Sequence, residues 1–138
     1  MADSKRVRLA WEGEGLRFRG GPPDGPLLSL DGDGETGPSP MDGLLLSVAG
    51  CMAIDVRVIL EKSRVPLETL EVTAAGVRAE EPPRRFTRLT LAFRVSGPGE
   101  EDADAVERAV RLSRERYCSV LHSLRADLDV EIEISRKA

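Results

Sequence analysis

Short alternating blocks open and close the chain, and a helical period fills the space between. Val7 to Trp11 alternates apolar and polar positions, as does Leu16 to Arg19, and Glu12-Gly13-Glu14-Gly15 between them reads as a hairpin turn. Leu27 to Leu30 is a third short strand, set off by Gly-Gly-Pro-Pro-Asp-Gly-Pro before it and by Asp31-Gly-Asp-Gly-Glu-Thr-Gly, a turn or loop, after it. Val7 to Asp31 is therefore expected to be a three-stranded meander.

The pattern then changes period. Ser39 can cap a helix, Pro40 suits its first position, and Asp42 complements the dipole of the first turn. The segment is expected to run to about Arg64, where Pro66 stops it. Leu44, Leu45, Val48, Cys51, Met52, Ile54, Val58 and Ile59 cover more than half its circumference, which predicts burial on several sides. Its length would be roughly 35 Å at 1.5 Å per residue.

Alternation returns at Leu67 to Arg78 and at Phe86 to Val95, with Glu80 to Arg85 as the turn between them. Glu100 to about Arg116 predicts a second helix, acidic at its start and arginine-rich toward its end. Cys118 to Leu124 is expected to form a short helix directly after it, and Leu128 to Ile134 a last strand. The order βββ-α-ββ-αα-β, with strands in hairpin blocks, predicts a single α+β domain over residues 1–138 rather than a doubly wound sheet.

Composition narrows the function classes. Twenty basic and 24 acidic residues give a net charge of −4, so no basic excess exists to displace counterions from nucleic acid. No unbroken apolar run approaches the roughly 20 residues that span a bilayer. Met1 to Arg8 has no apolar leader-like segment, and a cytoplasmic location is the expectation. Two cysteines in a reducing compartment rarely make a structural disulfide. They are either inert buried residues or a redox pair.

The local sequences bear on that choice. Cys51 sits mid-helix beside Gly50, Ala49 and Ala53, small residues that let another backbone approach. It is either a buried core thiol or a reactive one at a crowded interface. Asp55, one turn on, shares its face and would suppress the thiolate unless a cation intervenes; Arg17, Arg19, Arg114 and Arg116 are the candidates. A structural ion pair is the plainer role for Asp55. Cys118 falls at a helix N-terminus among arginines, a setting that favours thiolate. His122, the only histidine, lies one turn after Cys118; it is either a partner for that thiol or a plain surface histidine. One His and two Cys make a weak zinc site. No phosphate-binding loop and no Ser-His-Asp arrangement is present.

Gly37-Pro38-Ser39-Pro40-Met41-Asp42-Gly43 running into Val48-Ala49-Gly50-Cys51-Met52-Ala53-Ile54-Asp55-Val56, then Ile59 to Arg64, resembles the OsmC/Ohr family. The likeness is to its OsmC-like peroxiredoxin branch. Leu112-Ser113 and Tyr117-Cys118-Ser119-Val120 resemble the second cysteine motif of that family. The resemblance implies an OsmC-like fold: an N-terminal meander, a long central helix bearing the first cysteine, further antiparallel strands and two C-terminal helices. It also implies an intertwined homodimer with the cysteine helices at its centre.

The implied chemistry is reduction of organic hydroperoxides to alcohols, an antioxidant, stress-response activity. Cys51 becomes a sulfenic acid, Cys118 resolves it to a disulfide, and an external dithiol reduces that disulfide. No metal, flavin or other cofactor is implied. An arginine from the N-terminal strands belongs to the site in the family, and Arg19 is the matching choice here. The sequence departs from the hydroperoxide-resistance branch where that branch has Asn-Pro-Glu at the helix start. Ser39-Pro40-Met41 stands there instead, with Asp42 the nearest acid. That departure motivates the alternative: an OsmC-fold protein with little peroxidase turnover that binds a small apolar ligand at the dimer interface.

Overall fold

A computed structural model describes residues 2–137. Met1 of the polar N-terminal stretch and Ala138 of the expected domain span lie outside the described residues. The chain forms two compact units, Met1–Leu44 and Leu45–Ala138, with the boundary inside the long helix.

In the first unit, β1 (Arg8–Trp11), β2 (Arg17–Gly21) and β3 (Leu28–Asp31) form the expected antiparallel meander, in that spatial order. The β1–β2 turn uses Gly13 and Gly15 at φ +89° and +53°, where a side chain would be strained. Trp11 donates its indole N–H to the Gly15 carbonyl across the same turn at 3.0 Å. After β3, the loop wraps around Asp31, which is 1% exposed. The Asp31 carboxylate accepts the N–H groups of Asp33, Glu35 and Thr36 and the Thr36 hydroxyl, at 2.8 to 3.2 Å. The Thr36 and Asp33 N–H groups are the main cause of a carboxyl pKa lowered to about 2, against the opposing effect of burial.

Helix α1 (Pro40–Lys62) starts where its cap predicts. The Ser39 hydroxyl accepts the Asp42 N–H at 3.2 Å, and the Asp42 carboxylate accepts the Ser39 N–H at 3.1 Å. This is a reciprocal capping box with Asp in the usual Glu position. At the other end Arg64 takes φ +58°, so the helix stops short of it. The Arg64 N–H reaches the Glu61 carbonyl and the Val65 N–H the Leu60 carbonyl, a Schellman closure without glycine.

Only one side of α1 is buried. Val48, Met52, Val56 and Leu60, spaced four apart, are 0% exposed. Leu46 and Ile54, roughly opposite on the helix, are 61% and 65% exposed, and Val58 continues their line. The expected burial on several sides is thus absent within one chain. By length and composition alone, α1 is also apolar enough to cross a bilayer. This corrects the expectation from unbroken runs, because Gly43, Ser47 and Gly50 interrupt the apolar residues without making the helix polar.

The second unit holds a sheet of β4 (Thr69–Arg78), β5 (Phe86–Ser96) and β6 (Asp129–Lys137), with β5 central. β4 and β5 are antiparallel. β6 lies parallel to β5, a correction to the expected antiparallel pairing. The helical segment between them supplies the crossover that a parallel pair needs, and alternation alone does not encode strand direction. The register aligns Val72, Phe93 and Ile134 in one row and Ala74, Leu91 and Ile132 in the next. Leu89, Leu91, Phe93 and Val95 of β5 are buried, as is the inner ridge of α1.

The expected helix over Glu100 to Arg116 is divided. A single 3₁₀ turn (Glu100–Asp102) leads into α2 (Ala103–Leu112), a wide π turn comes next over Ser113–Tyr117, and α3 (Ser119–His122) is last. Val106, Ala109 and Val110 turn inward from α2.

Candidate active site

Cys51 stands on α1 in a ridge that runs through Asp55 to Ile59, beside the buried one. The thiol is free and half-buried. Gly50 next to it faces open space, since a β-carbon there would meet nothing within 4 Å.

Cys118 comes directly after the π turn and caps α3. Its N–H donates to the Ser113 carbonyl at 2.8 Å, closing a five-residue turn. Its sulfur accepts the Leu121 N–H at 3.3 Å. The side chain is fully buried, and it interacts directly with Cys51. The fold therefore brings together two thiols that are 67 positions apart, and both are free.

Burial pushes the Cys118 thiol up to about 11. The Leu121 N–H acts in the opposite direction, and the neighbouring Cys51 and Asp55 add to the rise. The expectation of a thiolate at Cys118 is overturned. The single capping N–H of a four-residue helix does not offset the loss of water around a fully buried sulfur.

Asp55 also differs from expectation. Its carboxylate accepts the Ser113 hydroxyl at 2.8 Å. All four candidate cations have partners elsewhere: Arg17 lies 3.5 Å from Glu14, and Arg114 donates to the Val130 carbonyl at 2.9 Å. Arg116 sits 6.0 Å from the Tyr117 ring. Arg19 is exposed on β2, 3.9 Å from Glu12. His122 bonds through Nε2 to the Arg114 carbonyl at 2.8 Å, so that nitrogen carries the proton and the plain reading of His122 holds.

Ser113 is the residue whose role the sequence does not reveal. It is 0% exposed, and it sits inside an arginine-rich stretch that reads as solvated helix. A serine facing inward among charged neighbours is the available signal.

A cleft of ≈ 550 Å³ lies between Asp55, one helical turn after Cys51, and Tyr117, the neighbour of Cys118, and neither cysteine lines it. Val58, Ile59, Leu112 and Tyr117 form its apolar wall, and Asp55, Lys62 and Arg108 supply charge. Among the described residues, no group of three or more His, Cys, Asp or Glu side chains is arranged to hold a metal ion.

Residues 32–133 match the family model described as OsmC-like protein. Protein YhfA of Escherichia coli is 46% identical over 116 residues, covering 83% of this chain and 85% of YhfA. A hypothetical protein from Aquifex aeolicus superposes with a TM-score of 0.85 at 28% identity, covering 99% of this chain and 98% of its own. An organic hydroperoxide resistance protein OsmC from Legionella pneumophila shares the fold, with a TM-score of 0.68 at 17% identity and 98% coverage of both chains.

Proposed function

The chain belongs to the OsmC-like protein family, and from that premise we propose that it is a thiol-dependent peroxidase for organic hydroperoxides. The observation that carries the reading is the unequal thiol pair. Cys51 is half-buried and reachable, while Cys118 is fully buried, held protonated and in contact with it.

That inequality sets the order of events. The Cys51 thiolate attacks the terminal oxygen of the hydroperoxide. The O–O bond breaks, the alkoxide takes a proton and leaves as the alcohol, and Cys51 becomes a sulfenic acid. The Cys118 sulfur then attacks the Cys51 sulfur, its proton leaves with the hydroxide as water, and a disulfide forms. An external dithiol of the cytoplasm returns both thiols. Arg19 is the cation assigned to Cys51 by family resemblance.

The working form is a homodimer. Leu46, Ile54 and Val58 on α1, and Leu9, Trp11 and Leu28 on the meander, are large apolar side chains left exposed in one chain. Surfaces of that kind support a partner. Gly50 in the same exposed line of α1 leaves room for close approach.

The cleft lined by Val58, Ile59, Leu112 and Tyr117 supports a second reading, a binding protein for a small apolar ligand with little turnover. Mass spectrometry after one equivalent of cumene hydroperoxide separates the two. The peroxidase loses two hydrogen masses to the disulfide, and the Cys118→Ser variant gains one oxygen. Peroxide consumption at the parent rate by both single Cys→Ser variants would exclude the thiol mechanism.

A further inference from the structure

We infer that Ser113 is the positioning residue of the dithiol site: its two polar groups tie Cys118 to the helix that carries Cys51. The inference rests on the proposed function in one respect, that the two thiols join as a disulfide.

Ser113 acts through both its backbone and its side chain. Its carbonyl accepts the Cys118 N–H at 2.8 Å and so fixes the path of the chain into the second thiol. Its hydroxyl donates to Asp55 at 2.8 Å, and Asp55 stands one helical turn after Cys51. A single buried residue therefore sets the π turn and docks it on α1. The other side-chain bonds of this segment run elsewhere. Arg114 reaches the Val130 carbonyl of β6, and the His122 ring reaches the Arg114 carbonyl.

The geometry has a kinetic meaning. Disulfide formation within a chain depends on how often the second sulfur occupies the line of attack on the first, which is an effective concentration. A π turn has poorer intrinsic hydrogen bonding than an α-helix and is used in single turns at functional places. Held only by its own backbone, it would leave Cys118 free to wander. Docked through Ser113, it keeps the thiol beside Cys51. The Asp55 carboxylate in this scheme is an anchor for a hydroxyl, and it takes no proton in the reaction.

The test measures the thiol pair without requiring peroxidase activity. In a glutathione redox buffer, the protein dithiol and oxidised glutathione exchange to the protein disulfide and two reduced glutathione molecules. The equilibrium gives the effective molarity of the pair. Ser113→Ala is expected to lower it about tenfold, the scale of one buried hydrogen bond. Ser113→Thr, which keeps the hydroxyl, is expected to stay within about twofold of the parent. Asp55→Ala cuts the same bond from the other side, so the comparison survives if Ser113→Ala does not fold. Asp55→Asn keeps an acceptor oxygen and removes the charge; at neutral pH, where the buried Cys118 is protonated with or without that charge, its effective molarity is expected to stay within about twofold of the parent.

With peroxide as oxidant, the sulfenic acid of the Ser113→Ala protein is expected to live longer and to overoxidise at lower peroxide doses. A variant that melts earlier yet keeps the parent's effective molarity and sulfenic acid lifetime would reduce Ser113 to a structural role and overturn the inference. If no variant or parent consumes peroxide while the effective molarity still falls in Ser113→Ala, the peroxidase reading fails and the inference stands.

Discussion

The Leu121 N–H points at the Cys118 sulfur from 3.3 Å, yet the thiol it caps is held protonated. Burial is the dominant effect, and it raises the thiol from 9.0 to about 11. In a Cys51→Ser background, alkylation of Cys118 by iodoacetamide should be slow at pH 8 and still rising at pH 10. A plateau near pH 8.5 would contradict this. The same shift gives stability a pH dependence. The folded value lies above the ordinary one, so the stabilising contribution is complete below pH 9 and is lost as the pH climbs through 11. The denaturation midpoint of Cys51→Ser should therefore fall over that interval more steeply than that of the double variant with Cys118→Ser.

Asp31 carries the opposite linkage. Its carboxyl is lowered from 3.8 to about 2, chiefly by the Thr36 and Asp33 N–H groups. Its contribution is complete above pH 3.8 and disappears as the pH falls through 2. Asp31→Asn should lower the melting temperature at neutral pH, because an amide nitrogen then faces backbone donors. It should also flatten the acid limb of the stability curve. Equal acid limbs for parent and variant would refute this role.

The start of α1 offers a test confined to local structure. Ser39→Ala removes the acceptor for the Asp42 N–H and should cost about 1 kcal/mol in urea denaturation. Ser39→Asp keeps an acceptor and should stay within about 0.5 kcal/mol of the parent.

The exposed line of α1 predicts an assembly. Ile54→Glu places a charge in the middle of that line, on a residue 65% exposed in one chain. In sedimentation velocity the parent should run as a dimer and the variant as a monomer. A monomeric parent would leave these apolar side chains unexplained and remove the dimer from the proposed function.

Much of this architecture is legible in the sequence, and the omissions have physical causes. The Ser39–Asp42 cap and the ridges of α1 are local properties of residue spacing, so they can be read directly. The direction of β6 is not local: Val130, Ile132 and Ile134 alternate identically in either orientation. The π turn is equally hidden, because residues 113–117 have no preference that separates it from an α-helix. Asp55, 58 positions earlier, is what holds that turn. The loop after β3 is legible as a loop. That it closes on a buried carboxylate depends on three backbone N–H groups converging, which residue type only hints at through Asp31 and its glycines. Resemblance identifies the thiols as a pair. Their unequal character escapes a sequence reading, because dipole and charge are visible there while burial is not.

The π turn also sets how the chain tolerates insertions and deletions. Such a turn is an α-helical turn with one residue added. Five residues of a π turn and four of an α-helical turn each complete about one revolution, so loss of one residue from 114–117 would close the segment as ordinary α-helix and leave the chain beyond it nearly in phase. The Cys118 N–H would keep the Ser113 carbonyl as its partner, now as an α-helical bond. The wide turn is thus a place where this chain can shed a residue without turning the second thiol away from the first.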